Sequence, residues 1–396
     1  MKYVVLGGAG AIGSVIVKDM AETCPPADKI VIADYDYAKA KALAASLRSP
    51  RVRAAPVNVR DKASTTRALR GAFAVINSVP YEFNLSVMDA ALAARAHYID
   101  LGGLFHVARK QLKLNRRFKA AGRTALLCMG NAPGITNLLA RDAADRLDKV
   151  REIHVRVGLV DQTRYRFKPP LKSAYSMKTI MEEFAYEPAV FTRGKFKFIE
   201  PMSGYEPYRF PAPVGLCRPM YTIHSEVATL PLSFKRKGVR EVSFKIAFNP
   251  EFIDRVRFLR DVGMGSHVPI QAGGVKVRPI DVLDHVVMSQ PAPRPIGKRK
   301  QHKITRVIVK GTEDGKRVTW LMDSHTSGKP AWGIGLEISV GSPLSIAAQM
   351  LANGEISAKG VVVPELAVPP DIFFKYLRKR GVRFTATRKR GWAFPT

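Results

Sequence analysis

His224 and Glu226 stand two residues apart in Tyr221-Thr222-Ile223-His224-Ser225-Glu226, so on an extended segment both side chains share a face. Imidazole is the side chain suited to proton transfer near neutral pH, and a neighbouring carboxylate raises its pKa. The same spacing could offer a metal two ligands, but the sequence shows no third, and no metal is expected. Tyr81 and Asn84 follow a strand-like run, Ala72-Phe73-Ala74-Val75-Ile76-Asn77, that ends in Ser78-Val79-Pro80. A Tyr81 hydroxyl of perturbed pKa could relay a proton, or its ring could simply pack beside a bound cofactor. Asn84 could orient an amine or a carbonyl. Asp100, just before Gly102-Gly103, could hold a cationic amine or cap the next helix. Asn131 lies in the turn Gly130-Asn131-Ala132-Pro133-Gly134, where backbone amides approach a ligand.

These residues need a crevice, and the first forty residues imply one. Met1-Lys2-Tyr3-Val4-Val5-Leu6 is an apolar, β-branched run. Gly7-Gly8-Ala9-Gly10-Ala11-Ile12-Gly13 follows, then a helical stretch and a second strand, Lys29 to Ala33, ending at Asp34. Gly8, Gly10 and Gly13 stand in G-x-G-x-x-G register inside a βαβ unit. Gly8 permits a tight turn, Gly10 clears the approach of a pyrophosphate, and Gly13 lets the helix sit close on the strand. The amides of the first helical turn, at Ala11 and Ile12, then face the phosphates. Asp34, about 20 residues further on, is placed to accept from both ribose hydroxyls of NAD and to repel the 2′-phosphate of NADP. Tyr35 and Lys39 lie close by, so NADP is not excluded. Ser78 and Pro80, at the carboxyl end of another strand, border the same crevice. The alternative is a glycine-rich turn that binds nothing, or that holds another nucleotide-like ligand such as a methyl donor.

A chain of 396 residues is too long for one ordinary core, and two domains are expected. Its 46% hydrophobic and 24% charged residues are those of a globular protein. No apolar run reaches the ~20 residues that span a bilayer, and the start of the chain shows no signal-peptide core, so no membrane role is expected. Cys24, Cys128 and Cys217 are widely spaced and form no C-x-x-C, which suits a reduced, cytoplasmic protein. The net charge of +31 raises nucleic acid as a partner. Its distribution argues against that: the denser points, 235–237, 298–300 and 378–380, read as solvated loops and helix ends, without a nucleic-acid-binding signature. Plentiful Arg with scarce Asn and Gln suits a heat-adapted source.

Strand and helix alternate through residue 130, the doubly wound pattern. Beyond Val150, alternating strands with a few helices imply an α+β domain with a mostly antiparallel sheet. The motifs Gly8-Ala9-Gly10-Ala11-Ile12-Gly13, Val79-Pro80-Tyr81-Glu82-Phe83-Asn84, Tyr98-Ile99-Asp100-Leu101-Gly102-Gly103 and Gly130-Asn131-Ala132-Pro133-Gly134 fall in the order and spacing of the saccharopine dehydrogenase family. A last block, Ser345 to Leu351 with Gly360-Val361-Val362-Val363-Pro364-Glu365, extends the resemblance, and Asp-Leu-Gly-Gly is most similar to its lysine 6-dehydrogenase branch. The resemblance implies an α/β fold: an N-terminal Rossmann dinucleotide-binding domain, residues 1–130 and 340–396, with an inserted α+β substrate and dimerisation domain, 131–339. It also implies an NAD(P)-dependent dehydrogenase acting on a C–N bond of an amino acid, a small-molecule substrate, of lysine 6-dehydrogenase or saccharopine dehydrogenase type. His224 or Tyr81 would accept the amine proton as the imine forms, Asp100 would assist, and Asn84, Asn131 and Glu226 would line the substrate site. The basic surface favours an anionic substrate; the Asp-Leu-Gly-Gly block favours lysine. The rival reading is a nucleotide-sensing or nucleic-acid-binding protein on a retired dehydrogenase fold. A homodimer or higher oligomer is expected, joined through the hairpin of Ile304 to Lys310 and Arg317 to Met322, with Val307 and Val309 in the contact.

Overall fold

The computed structural model describes residues 1–171 and 175–392; residues 172–174 of the expected inserted domain and 393–396 of the returning segment lie outside the described residues. The first sheet has seven parallel strands in the order Gly360–Val362, Thr124–Leu126, His97–Asp100, Ala74–Asn77, Lys2–Leu6, Lys29–Asp34, Val52–Pro56. Helices cover both faces, which explains why Tyr3 to Leu6 form an uninterrupted apolar run that is fully buried. The strand order reverses between Lys2–Leu6 and its neighbour Ala74–Asn77, so the glycine loop and Ser78-Val79-Pro80 open together onto the crevice at the carboxyl edge.

Helix Ala11–Thr23 rises from the glycine loop with Gly10 as its N-cap, and no side chain caps it. A Cβ at Gly13 would lie 2.1 Å from the Gly7 carbonyl oxygen, so a side chain there is impossible without moving the turn. At Gly10 the nearest atom would be the same oxygen at 3.1 Å, and the space beyond is open. Helix Ile338–Ala352 packs beside Ala11–Thr23 at a close approach: a Cβ at Gly341 would meet Val15 at 2.8 Å. Asp19, fully buried in the first helix, accepts from Arg380 at 2.8 Å and from Ser345 at 3.0 Å. The returning chain is thus tied to the nucleotide-binding layer. Its final strand, Arg383–Arg390, pairs instead with Lys316–Thr326 of the second sheet.

That second sheet runs Lys195–Phe198, Ala189–Thr192, Glu241–Ile246, Lys149–Asp161, Gln301–Glu313, Lys316–Thr326, Arg383–Arg390, with Met220–Tyr221 as a side strand of Glu241–Ile246. Its pairings are antiparallel except that of Glu241–Ile246 with Lys149–Asp161. One face, including Val155, Phe244, Val307, Val309 and Met322, shares the hydrophobic core of the first sheet. On the other face Ile304, Ile308 and Leu321 pack under Tyr208, Phe210 and Val214. Between them run ion pairs of Arg306 with Asp323 at 2.6 Å and of Lys245 with Glu206 at 2.9 Å. The expected self-complementary hairpin patch is therefore corrected. Both faces are covered within one chain, and Val307 and Val309 are fully buried core residues. Helix Pro279–Met288 does not cover the hairpin; it packs with Met177–Ala185 in a separate cluster.

Two of the basic clusters also have internal roles. Lys237 donates to the carbonyls of Ala144 and Leu147 at the end of helix Ile135–Asp145, and Arg380 is the buried partner of Asp19. Among the described residues no helix is long and apolar enough to cross a membrane. The glycines differ in what they protect. Gly13→Ala should lose stability by about 1–3 kcal/mol through overpacking. Gly10→Val should melt near the wild-type temperature yet lose dinucleotide binding. Thermal melts with dinucleotide titrations check both; undiminished affinity in Gly10→Val would contradict the role given to that position.

Candidate active site

The crevice offers a dinucleotide an uncapped helix N-terminus and open space over Gly10. Asp34 lies at the end of its strand, buried. One carboxylate oxygen accepts from the Ala9 amide at 2.9 Å and the other from the Asp36 amide at 3.1 Å. It therefore braces the glycine loop against the next turn, and each oxygen keeps a further lone pair for a ribose hydroxyl. Ser78 donates to the carbonyls of Leu6 and Gly7, at 2.7 and 3.3 Å, and fixes the loop from the other side. Ala11 and Pro80 are exposed at the rim, and Ile12 is buried under the helix.

Two of the expected site residues turn out to be scaffold. Asp100 has no exposed surface and accepts from five donors: the amides of Gly102 and Cys128, the Tyr98 hydroxyl, Gln111 Nε2 and Asn84 Nδ2. Burial pushes its pKa up and these hydrogen bonds pull it back. No lone pair faces the crevice for a substrate amine. Asn84 is spent on the same network, donating to Asp100 and the Gly102 carbonyl and accepting from Asn77. Asn131 is different. Its Nδ2 donates to Thr305 at 3.1 Å across the two sheets, while its buried Oδ1 has no partner among the described residues.

The opposite wall is built by helix Met177–Ala185. Met177, Ile180, Met181 and Phe184 bury one stripe against Ile280, Leu283 and Val256, which turns Glu182 and Glu183 inward. Glu182 accepts from the Tyr81 hydroxyl at 2.7 Å and lies 2.8 Å from His267. Glu183 accepts from Tyr175 at 2.8 Å and lies 3.6 Å from His224 Nε2. Glu226 lies 3.4 Å from His224 Nδ1 and accepts from Thr136 at 3.0 Å. The His224 ring stacks on Phe244 with centroids 3.6 Å apart. Burial alone would push the imidazole pKa down, but Glu183 and Glu226 outweigh it and hold it up at about 9. His224 thus carries its proton at neutral pH, and it can act as the expected acceptor only once that proton has left. Tyr81 is likewise a donor: burial and Glu182 push its pKa well up. Burial also raises Glu182, against the pull of Tyr81 and His267.

Tyr81, His224 and Glu226 therefore do meet this wall, whereas Asp100 and Asn84 are enclosed in the hydrogen-bond network of the first sheet. Glu182, Glu183, His267 and Lys178 were not singled out from the sequence. In the fold Lys178 pairs with Glu82 at 2.9 Å, leaving Glu182 to Tyr81. The one available signal was that both acids border the apolar stripe at 177, 180, 181 and 184.

Residues 3–126 match the model of the saccharopine dehydrogenase NADP binding domain, and residues 130–382 that of the saccharopine dehydrogenase C-terminal domain. The carboxyaminopropylagmatine dehydrogenase of Synechocystis is 26% identical over 396 residues, covering 96% of each chain. The carboxynorspermidine synthase of Vibrio cholerae is 23% identical over 407 residues, covering 95% of this chain and 94% of its own. Apo saccharopine dehydrogenase (L-Glu forming) from Saccharomyces cerevisiae has the same fold, with a TM-score of 0.73 at 18% identity, covering 98% of this chain and 99% of its own.

The His224 pairing has a definite pH signature. Its folded pKa lies above the unfolded value near 6.5, so its stabilisation is complete below about 6.5 and is lost as pH rises through about 9. Imidazole NMR titration should show His224 cationic at neutral pH, and urea midpoints should fall between pH 6.5 and 9.5. A ring that titrates at or below 6.5 would contradict the pairing.

Proposed function

The chain belongs to the saccharopine dehydrogenase family of NAD(P)-dependent oxidoreductases, and from that premise we propose that its substrate is a carboxylated polyamine, oxidised or formed at a secondary-amine C–N bond. The observation that carries this reading is the buried wall of Glu182, Glu183 and Glu226, whose neighbouring cations include His224, His267 and Lys178. Such a wall favours an amine or guanidinium cation and opposes the three carboxylates of saccharopine. It replaces the leaning toward an anionic substrate drawn from the surface charge. The names of the two curated relatives both describe a carboxylated chain joined to a cationic amine. Asp-Leu-Gly-Gly does not select lysine, because its residues have structural duties. Asp100 is the five-donor anchor, and Gly102, at φ +103°, has Pro133 where a Cβ would go, at 2.9 Å.

When bound, the dinucleotide supplies or accepts hydride at the carbon bearing nitrogen. The chain's own residues do the rest. In the reducing direction the His224 imidazolium gives its proton toward the imine nitrogen and is recharged from solvent. Tyr81 and Glu182 fix the neighbouring amine, and helix Met177–Ala185 excludes water. In the oxidising direction His224 must first be neutral, so amine oxidation should speed up toward pH 9. Asp34 at the ribose position supports NAD over NADP, since a 2′-phosphate would face its carboxylate.

Two measurements test this reading. Carboxyaminopropylagmatine, carboxynorspermidine, saccharopine and L-lysine, each with NAD and NADP, should give NADH or NADPH absorbance fastest with one of the first two. Preference for saccharopine or lysine would overturn the substrate assignment. Wild type should favour NAD by at least about tenfold, and Asp34→Ser should shift that ratio toward NADP by a similar factor, worth about 1.4 kcal/mol. Better use of NADP by the wild type would reverse the cofactor assignment and leave the reaction class standing.

A further inference from the structure

Strand Gln301–Glu313 lies with residues 303, 305, 307 and 309 on the face that meets the first sheet. Val307 and Val309 pack into the shared core. Thr305, one step nearer the crevice, is level with the turn before helix Ile135–Asp145, where Asn131 donates to it. Lys303 stands one step further along the same face. Its pairing partner across the sheet is Thr326, and that of Thr305 is Ser324. Directly opposed residues share a face, so Lys303, Thr305, Ser324 and Thr326 form one polar patch.

Most of this patch is unsatisfied. Lys303 is 8% exposed, and its ammonium makes no hydrogen bond or ion pair among the described residues. The hydroxyls of Ser324 and Thr326, each 1% exposed, have no partner there either, nor does Asn131 Oδ1. Glu337, at the head of helix Ile338–Ala352, is the charge that acts on Lys303, and its Oε2 is also unpartnered. Helix Ile338–Ala352 places that end beside the start of Ala11–Thr23, through Ile338 against Val15. Burial pushes the Lys303 pKa down to about 8 despite Glu337. Buried polar groups normally have partners, and a cluster left without them at a crevice is a place for a ligand.

The donors are an ammonium and two hydroxyls; the acceptors are an amide oxygen and a carboxylate oxygen. We propose that Lys303, Ser324 and Thr326 bind the substrate's α-carboxylate, while Asn131 Oδ1 and Glu337 accept from the α-ammonium beside it. Together with the acid wall this gives the crevice a direction. The amino-acid head lies under the second sheet and the cationic tail runs toward Glu182 and Glu183. This subsite rests on the carboxylated-polyamine reading and names which end of that substrate goes where.

The test compares wild type, Lys303→Met, Lys303→Arg and Thr326→Val with saturating NAD. Substrates are carboxyaminopropylagmatine and aminopropylagmatine, the same chain without its carboxylate. Lys303→Met should raise KM for the carboxylated substrate at least about tenfold, with kcat within a few-fold and NAD affinity unchanged. KM for aminopropylagmatine should not move. Lys303→Arg should recover part of the loss, and Thr326→Val, which keeps the charge, should show a smaller rise if Lys303→Met does not fold. Equal KM changes for both substrates would overturn the subsite. If wild type turns over neither, the substrate reading fails, and ligand-observed NMR with L-2-aminobutyrate and n-propylamine decides the subsite alone. Binding of L-2-aminobutyrate that is lost in Lys303→Met, or in Thr326→Val if Lys303→Met does not fold, supports it; no binding to wild type, or equal binding to the variant, overturns it.

Discussion

Asp100 is a carboxylate at the centre of the fold with no ion-pair partner among the described residues. Removing such a group from water is costly, and only dense hydrogen bonding makes it tolerable. Its five donors come from four separate stretches: the strand that ends in Asp100 with the turn after it, the helix holding Asn84, the helix holding Gln111, and the chain at Cys128. These stretches form the carboxyl edge of the sheet. The turn at Gly102, the Gly130–Gly134 turn that packs on it, and the 3-10 turn carrying Tyr81 take their positions from that knot. Asp100 does no chemistry in this arrangement, yet the distances between the glycine loop, Asn131 and Tyr81 depend on it.

Charge is distributed against the surface average. The chain carries +31, but helix Met177–Ala185 turns two acids, Glu182 and Glu183, inward. A low-dielectric wall with a surplus of one sign favours a ligand of the other sign, and a distant basic exterior does not cancel it at close range. Several of the cations are structural. Arg380 holds Asp19, Lys237 satisfies helix-end carbonyls, and Lys245 and Arg306 lie within the outer face of the second sheet. A net charge counted from composition therefore said little about the substrate.

Local patterns were readable in the sequence and long-range pairings were not. The glycine spacing, the parallel apolar strands and the hairpin turning at Glu313 to Gly315 are set by residues near one another in the chain, and the fold contains all three. The roles of Asp100 and Asn84 depend on partners from distant segments, so a carboxylate before two glycines looked available when it was saturated. The hairpin faces looked free because Tyr208, Phe210 and Val214 arrive from a loop-rich stretch with no strand pattern to announce where it packs. Glu182 and Glu183 border an apolar stripe, and only their partners from distant segments, Tyr81, His267 and His224, mark them as part of a site. Even the His224–Glu226 pair, legible as a pair, needed Glu183 from another element before its protonation state could be assigned.

The central claim is hydride transfer at the carbon bearing the secondary nitrogen of a carboxylated polyamine. Its most direct test is deuterium transfer in the reducing direction. The enzyme is incubated with C4-deuterated NADH, an amine such as agmatine, and the carboxylated aldehyde that completes carboxyaminopropylagmatine, and the product is examined by mass spectrometry and NMR. One deuterium on the carbon newly joined to nitrogen is the expected result. A product without deuterium at that carbon, or no coupled product while the dinucleotide is consumed, would contradict it.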